Sequence, residues 1–187
     1  MLYRNFLLWI LSATAAAAVP APAGEVVALE IDRDASNIVA HVKATGHRFD
    51  AVVTDYELDL RWDIEREAII SAKLTFDFAD VETGRTRRDR EMRDWLEYES
   101  FPVAEFALTT IEATDDGPVA VGRLTLHGTE RELEFPVSIE RTGDDVRIRA
   151  ETTIDHRDWE LEEIRALLIM TVDPLLAVSI DVKATIP

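Results

Sequence analysis

Apolar and polar residues alternate along most of this chain, and that alternation limits the fold more than any other feature. Ile70, Ala72, Leu74, Phe76 and Phe78 share one face of a run whose other face carries Ser71, Lys73, Thr75 and Asp77. Tyr56, Leu58, Leu60 and Trp62 stand against Asp55, Glu57, Asp59 and Arg61. Leu133, Phe135, Val137 and Ile139 stand against Glu132, Glu134 and Ser138. The same rhythm returns in Ile38-Ala40-Val42-Ala44, in Val146-Ile148-Ala150 and in Val178-Ile180-Val182-Ala184. Successive side chains of a strand point to opposite faces, so a period of two buries one face and wets the other. Antiparallel sheet has this pattern, whereas the strands of parallel sheet read as continuous apolar runs.

Turn chemistry separates the strands. Asp115-Asp116-Gly117-Pro118, His127-Gly128-Thr129 and Thr142-Gly143-Asp144 are polar, glycine-bearing breaks of the kind that reverses a chain. About eight short strands joined this way predict an all-β sandwich or barrel. Closure into a barrel removes the edges and leaves an interior that is either filled by side chains or able to hold one small ligand. Small inward residues (Ala40, Ala44, Ala72, Ala150) leave room for the second outcome without requiring it.

Two stretches depart from the alternation. Between Gly84 and Glu99, Met92, Trp95 and Leu96 fall on one side at helical spacing, which predicts one short helix. Its other side carries Arg85, Arg87, Arg88, Arg90 and Arg93 beside Asp89, Glu91 and Asp94. These arginines read either as a collar for an anionic headgroup or acidic partner, or as self-neutralising i, i+4 pairs. Those pairs would be Arg85–Asp89, Arg87–Glu91, Asp89–Arg93 and Arg90–Asp94. Between Asp155 and Leu176, Trp159, Leu161, Ile164, Leu167 and Leu168 have near-helical spacing, and Ala166 to Met170 is apolar. A C-terminal helical or loop insertion follows, either a short core helix or a lid over the barrel's end.

The N-terminus has the order of a secretory leader. Arg4 precedes an apolar segment from Phe6 to Val19, and Ala21-Pro22-Ala23 supplies a small-residue cleavage pattern. The apolar segment is shorter than the roughly 20 residues that span a bilayer. Residues 1–23 are therefore expected to be a signal peptide, and 24–187 a single exported domain with no membrane span. The formal net charge of −17 repels phosphate backbones and disfavours nucleic acid as a partner. Cysteine is absent, which excludes disulfides and thiolate sites.

Catalytic constellations are not apparent. His41, His47, His127 and His156 lack zinc-site spacing, so no metal is expected. His41 reads as a surface residue, and His47 and His127 as turn residues. No nucleophile elbow or phosphate-cradling glycine loop occurs. With 37 acidic residues, nothing marks one carboxylate pair as a glycosidase dyad. No enzyme activity is expected.

Several segments, taken in order, resemble the YceI-like proteins. They are Ala79-Asp80-Val81-Glu82-Thr83-Gly84 followed by Arg88-Asp89 and Met92-Arg93; Phe101-Pro102-Val103-Ala104-Glu105-Phe106; Gly122-Arg123-Leu124-Thr125-Leu126-His127-Gly128; and Ile154-Asp155-His156-Arg157-Asp158-Trp159. The resemblance implies a lipocalin-like antiparallel β-barrel, a bacterial periplasmic location, and a long apolar ligand such as a polyisoprenoid or isoprenoid quinone in the pore. It implies no catalytic residue, metal or other cofactor. Tyr56 stands where the family usually has glycine, which would narrow the pore. Glu160 replaces another common glycine, which would reshape the loop at the mouth. With the alternation, the resemblance makes Leu58, Leu60, Leu74, Phe76, Phe106 and Leu124 the expected pore lining, with Met92 and Leu96 closing one side. The function expected is an apolar-lipid carrier. The alternative is a periplasmic interaction module with a filled barrel and an acidic docking surface. Whether the chain forms a homodimer stays open.

Overall fold

A computed structural model describes residues 24–163, 165–166 and 170–187; the expected leader, Ile164, Leu167 and Leu168 lie outside the described residues. The first strands are β1 (Val26–Ala28), β2 (Glu30–Ala44), β3 (His47–Val53), β4 (Glu57–Asp63) and β5 (Ala68–Asp77). A 3-10 turn (Phe78–Asp80), β6 (Val81–Glu82) and helix α1 (Thr86–Trp95) follow. The long strands β7 (Val103–Thr114), β8 (Gly117–Leu126), β9 (Thr129–Thr142) and β10 (Asp145–Asp155) come next. A second 3-10 turn (His156–Trp159), β11 (Arg165–Ala166), β12 (Met170–Thr171) and β13 (Leu175–Thr185) end the order.

Eleven of the strands make one antiparallel sheet in the order β1-β4-β5-β7-β8-β9-β10-β13-β2-β3-β6. The alternation predicts about eight, and the count rises because two long strands are interrupted. Only Leu29 separates β1 from β2. β1 pairs with β4, the Leu29 amide donates to the Leu60 carbonyl at 2.9 Å, and Glu30 to Asp32 then pair with β13. One stretch of chain thus bonds to both sides of the sheet and draws them together into a barrel. Near the other end β5 passes through the 3-10 turn into β6, which pairs with β3, and the Thr54 amide donates to the Asp80 carbonyl at 2.8 Å.

Two irregularities set the register. Between Asp32 and Asn37, β2 bulges away from β13, whose partners there run only from Lys183 to Asp181. Ser36 holds this bulge: its hydroxyl donates to the Asp32 carbonyl at 2.6 Å and accepts from the Lys183 amide at 2.9 Å. The Arg33 guanidinium leaves the bulge to pair with Asp55 and the Tyr56 carbonyl, tying β2 to the β3–β4 connection. The second shift lies between β4 and β5, where Arg61 faces Ser71 but Trp62 faces Ile69. Ile70 is thereby turned out, 44 % exposed, and Ile69 is buried in its place. This corrects the expectation that Ile70 shares the inner face with Ala72 and Leu74: a bulge moves one residue to the other face.

Two glycines of the β8–β9 segment have steric reasons. Gly128 adopts φ +69°, and a Cβ on it would lie 2.6 Å from the Phe101 ring. With His127 at φ +50° it makes a two-residue hairpin loop with both φ positive, matching the twist of its strands. Gly122 points inward, where its missing side chain leaves room for Phe106.

Among its described residues the C-terminal segment forms a 3-10 turn and two short strands. Asp155 Oδ1 accepts from the Arg157 amide at 3.1 Å to start a 3-10 turn. Glu160, at φ +63°, ends it in the left-handed region where an α-helix cannot continue. A two-stranded pair, β11 with β12, follows. Among the described residues no helix is long and apolar enough to cross a membrane.

Candidate functional site: an apolar cavity in the barrel

The inward faces are densely packed at one end of the barrel. There Trp62, Val146 and Ala184 are essentially inaccessible and pack with Leu29 and Ile186. Along the rest of the barrel a cavity of about 410 Å³ remains, within the range of small-molecule sites. The eight residues expected to line a pore all stand on its wall: Leu58 and Leu60 on β4, Leu74 and Phe76 on β5, Phe106 on β7, Leu124 on β8, Met92 on α1 and Leu96 just beyond it. Ala40, Ala44, Ala72, Ala104, Ala120 and Ala150 are also on the wall, and their short side chains are what leaves the barrel hollow. Tyr56 is not part of the wall, contrary to the expected narrowing; it is buried beneath the Arg33 guanidinium, 5.1 Å from its ring centre.

Helix α1 closes the other end. Its cavity-facing stripe runs Arg88, Glu91, Met92, Trp95, Leu96, the i, i+3, i+4, i+7, i+8 spacing of one helix face. Asp89 fastens the helix to β6 by accepting from the Thr83 amide at 2.8 Å and the Thr83 hydroxyl at 2.6 Å. At the helix's far end the Trp95 indole N–H donates to the Glu162 carbonyl at 2.9 Å, and the ring meets His156 edge-on at 5.0 Å. The cavity reaches solvent here, where the exposed residues His47 and Glu91 join its wall.

Polar wall residues gather at this end: His47, Thr83, Arg88, Glu91, Thr152 and His156. The sequence did not single out His47 or His156 as wall residues. His156 is 1 % exposed with Nδ1 3.3 Å from the Leu161 carbonyl, and burial pushes its pKa below the usual value. His41 does lie on the outer face, with Nδ1 2.8 Å from Asp50 and Nε2 3.0 Å from Ser179.

Of the four i, i+4 arginine–carboxylate pairs expected around α1, one forms. Arg87–Glu91 forms at 2.8 Å. Asp89, however, is taken by Thr83. Among the described residues Arg85, Arg88, Arg90 and Arg93 have no carboxylate within 4.0 Å. Arg88 lies with its guanidinium carbon 3.7 Å above the Phe49 ring centre and donates to the Thr83 carbonyl at 3.4 Å. Desolvation, and then the neighbouring Arg85, lower its pKa, although an arginine stays charged at any ordinary pH. Among the described residues no cluster of three or more His, Asp or Glu could hold a metal ion.

A family model described as the YceI-like domain matches residues 29–184. The chain belongs to the YceI-like family. It is similar to Protein YceI of Escherichia coli, 27 % identical over 93 residues that make up 49 % of each chain, so this match spans about half the length of that relative. A UPF0312 protein of Pseudomonas putida is 23 % identical over 154 residues, 75 % of this chain and 80 % of that one. Among solved structures, Burkholderia cenocepacia BcnA aligns with a TM-score of 0.72 at 20 % identity, over 83 % of this chain and 100 % of that one. A polyisoprenoid binding domain from Saccharophagus degradans aligns with a TM-score of 0.67 at 17 % identity, over 85 % and 98 %. At these identities the structural matches establish the shared barrel. The YceI-like fold is thus an all-β antiparallel barrel with one helix, as the alternation predicts.

Proposed function

We propose that this YceI-like protein is an exported, periplasmic carrier that holds an isoprenoid-type lipid, a polyisoprenoid or an isoprenoid quinone, in its barrel. The carrying observation is the apolar cavity of about 410 Å³ behind a short amphipathic helix. The structural neighbour described as a polyisoprenoid binding domain supports the same ligand class, and the leader pattern of residues 1–23 supports export. Leu58, Leu60, Leu74, Phe76, Phe106 and Leu124 contact the tail, and Met92 and Leu96 cover it.

An apolar wall binds without directional partners. Each buried CH2 contributes about 0.8 kcal/mol before the costs of association are subtracted, so affinity grows with tail length until the cavity is full. What the wall offers a ligand is enclosure and exclusion of water; holding rather than transforming the molecule is the role that fits it. Native mass spectrometry of the mature protein, prepared gently from a periplasm and then extracted with solvent, tests the proposal. A stoichiometric adduct of isoprenoid mass is expected. A bare protein that stays bare after incubation with isoprenoid lipids overturns the proposal in favour of an interaction module.

A further inference from the structure

With 37 acidic residues against 20 lysines and arginines, a cation without a carboxylate partner is an exception in this chain, and the exceptions are gathered in one place. Among the described residues, Lys43 and Arg48 on the β2–β3 hairpin, Arg85 just before α1, and Arg88, Arg90 and Arg93 within it have no carboxylate within 4.0 Å. All stand around the opening of the cavity. Everywhere else each described cation is paired, from Arg33 with Asp55 in the β2 bulge to Lys183 with Asp32 on β13. The exception there is Arg131, whose guanidinium donates to the Asp158 carbonyl at 3.0 Å.

Stability does not explain these positions. Lys43 and Arg48 are direct cross-strand partners, both exposed, and like charges set opposite one another weaken a hairpin. On α1, helical spacing puts Arg90 on the side away from the cavity stripe of Arg88, Met92 and Trp95, with Arg87, Arg93 and Asp94 flanking it. Glu91 neutralises Arg87 at 2.8 Å, so Arg90 and Arg93 against Asp94 leave that outward face positive. Hairpin and helix meet at the opening, where Arg88 lies 3.7 Å above the Phe49 ring and His47 and Glu91 join the same wall. A large apolar side chain is exposed beside them. Leu175 is 48 % exposed, two residues after Asp173, whose amide donates to the Lys43 carbonyl at 2.8 Å.

We propose that the outward face of α1 and the β2–β3 hairpin together dock on an anionic phospholipid surface and turn the cavity opening toward the bilayer. Charge complementarity sets the orientation. A negative surface repels the acidic remainder of the chain and attracts this one rim, so the molecule approaches with the opening first. Basic side chains held near such a surface are drawn to it, and an apolar side chain among them enters the headgroup boundary. An acidic protein would match the charge equally well. The membrane is the better match because an apolar cargo passes between cavity and bilayer without crossing water only when the opening faces the bilayer, an argument that rests on the lipid-carrier reading above.

Co-sedimentation of the mature protein with vesicles tests the docking. Vesicles of phosphatidylglycerol and phosphatidylethanolamine should bind it at low salt, vesicles of phosphatidylcholine alone should not, and added salt should release it. Lys43→Gln combined with Arg90→Gln should weaken binding about 25-fold, roughly fivefold for each cation withdrawn from a charged membrane surface, with an unchanged or raised Tm. Arg61→Gln combined with Arg123→Gln withdraws the same charge from exposed, paired positions on the barrel wall and should leave vesicle binding as it was. Equal losses in the two double variants overturn the proposal, because the attraction would then follow net charge and not this face. No binding to anionic vesicles, or equal binding to both compositions, also overturns it. Capture by immobilised polyglutamate without vesicle binding overturns it in favour of an acidic protein partner. Native mass spectrometry reports the cargo separately: an isoprenoid adduct on a protein that ignores vesicles overturns the docking and keeps the carrier reading.

Discussion

The ring of Phe106 occupies the volume that a side chain on Gly122 would need. A Cβ at position 122 would lie 2.4 Å from Phe106 Cζ and 2.7 Å from the Ala107 carbonyl oxygen. Phe106 in turn packs against Phe135 at 5.5 Å between ring centres and forms part of the cavity wall. Two effects of Gly122→Ala oppose each other. Removing a strand glycine should gain about 0.5–1 kcal/mol, but overpacking against a ring and a backbone carbonyl costs about 1–3 kcal/mol. The carbonyl cannot swing aside as a side chain could, so the loss wins. Thermal unfolding should show a lowered Tm for Gly122→Ala. In a Phe106→Ala background the same Gly122→Ala step should cost less, a coupling that a double-mutant cycle measures.

Filling the cavity should separate folding from ligand retention. Ala40 lies on the wall, between Ala51 on β3 and Val178 on β13. Ala40→Phe places a ring in space that is otherwise empty, so the fold should survive with an unchanged or raised Tm. Bound lipid, read by native mass spectrometry, should fall several-fold. Full lipid occupancy in a folded Ala40→Phe variant would remove the tail from the cavity. Leu74→Asp is a poorer test, because Leu74 is buried among Phe78, Val81 and Ala104 and an unpaired charge there would unfold the barrel.

The barrel wall was legible in the sequence because a period of two fixes the face of each strand residue regardless of what it meets across the interior. That is why Leu58, Leu60, Leu74, Phe76, Phe106 and Leu124 could be placed on one surface before their partners were known. Ile70 shows where the rule stops: a bulge shifts the phase by one, and nothing in Ile69-Ile70 tells which isoleucine is inside. The helix was legible from Met92, Trp95 and Leu96, but the pairing of its charges was not. Helical spacing offers Asp89 to Arg85 and Arg93, and tertiary contact gives it to Thr83 instead. For the same reason nothing in the sequence separates Arg88 from the other arginines of the segment. Only the approach of Phe49 from the β2–β3 hairpin sets it at the mouth.

Within the β2 bulge, where Asp32 Oδ1 also accepts from the Ala35 amide at 3.1 Å, the Ser36 hydroxyl makes the link to β13. Ser36 Oγ accepts from the Lys183 amide at 2.9 Å and donates to the Asp32 carbonyl at 2.6 Å. In Ser36→Ala the part-buried amide loses its partner, at a cost of about 1–3 kcal/mol. Urea unfolding should show a lower midpoint with an unchanged slope, since the surface exposed on unfolding is the same. Ser138→Ala, whose hydroxyl makes only an exposed 3.5 Å contact to Glu140, should leave the midpoint where it is. Equal midpoints for Ser36→Ala and the unmodified chain would mean that the ladder, and not the hydroxyl, holds the bulge.

Acid sensitivity should trace to His156. Its ring is buried against Trp95, and desolvation lowers its pKa from the usual 6.5. As pH falls through that value the unfolded chain takes up a proton that the folded protein resists, so stability is full above it and declines on acidification. Asp155 acts in a different window. The Arg157 guanidinium holds its carboxyl at about 2 against the usual 3.8, so its contribution is present above 3.8 and is lost only as pH falls toward 2. Between about pH 7 and pH 5 the histidine therefore dominates. The Tm of the unmodified protein should drop across that interval. His156→Gln should lower the Tm at neutral pH, by loss of packing against Trp95, and flatten its dependence on pH. Because Trp95 and His156 together hold the end of α1 over the cavity, lipid release should steepen over the same interval and lose that steepness in the variant. An undiminished pH slope in His156→Gln would assign the acid sensitivity to another group.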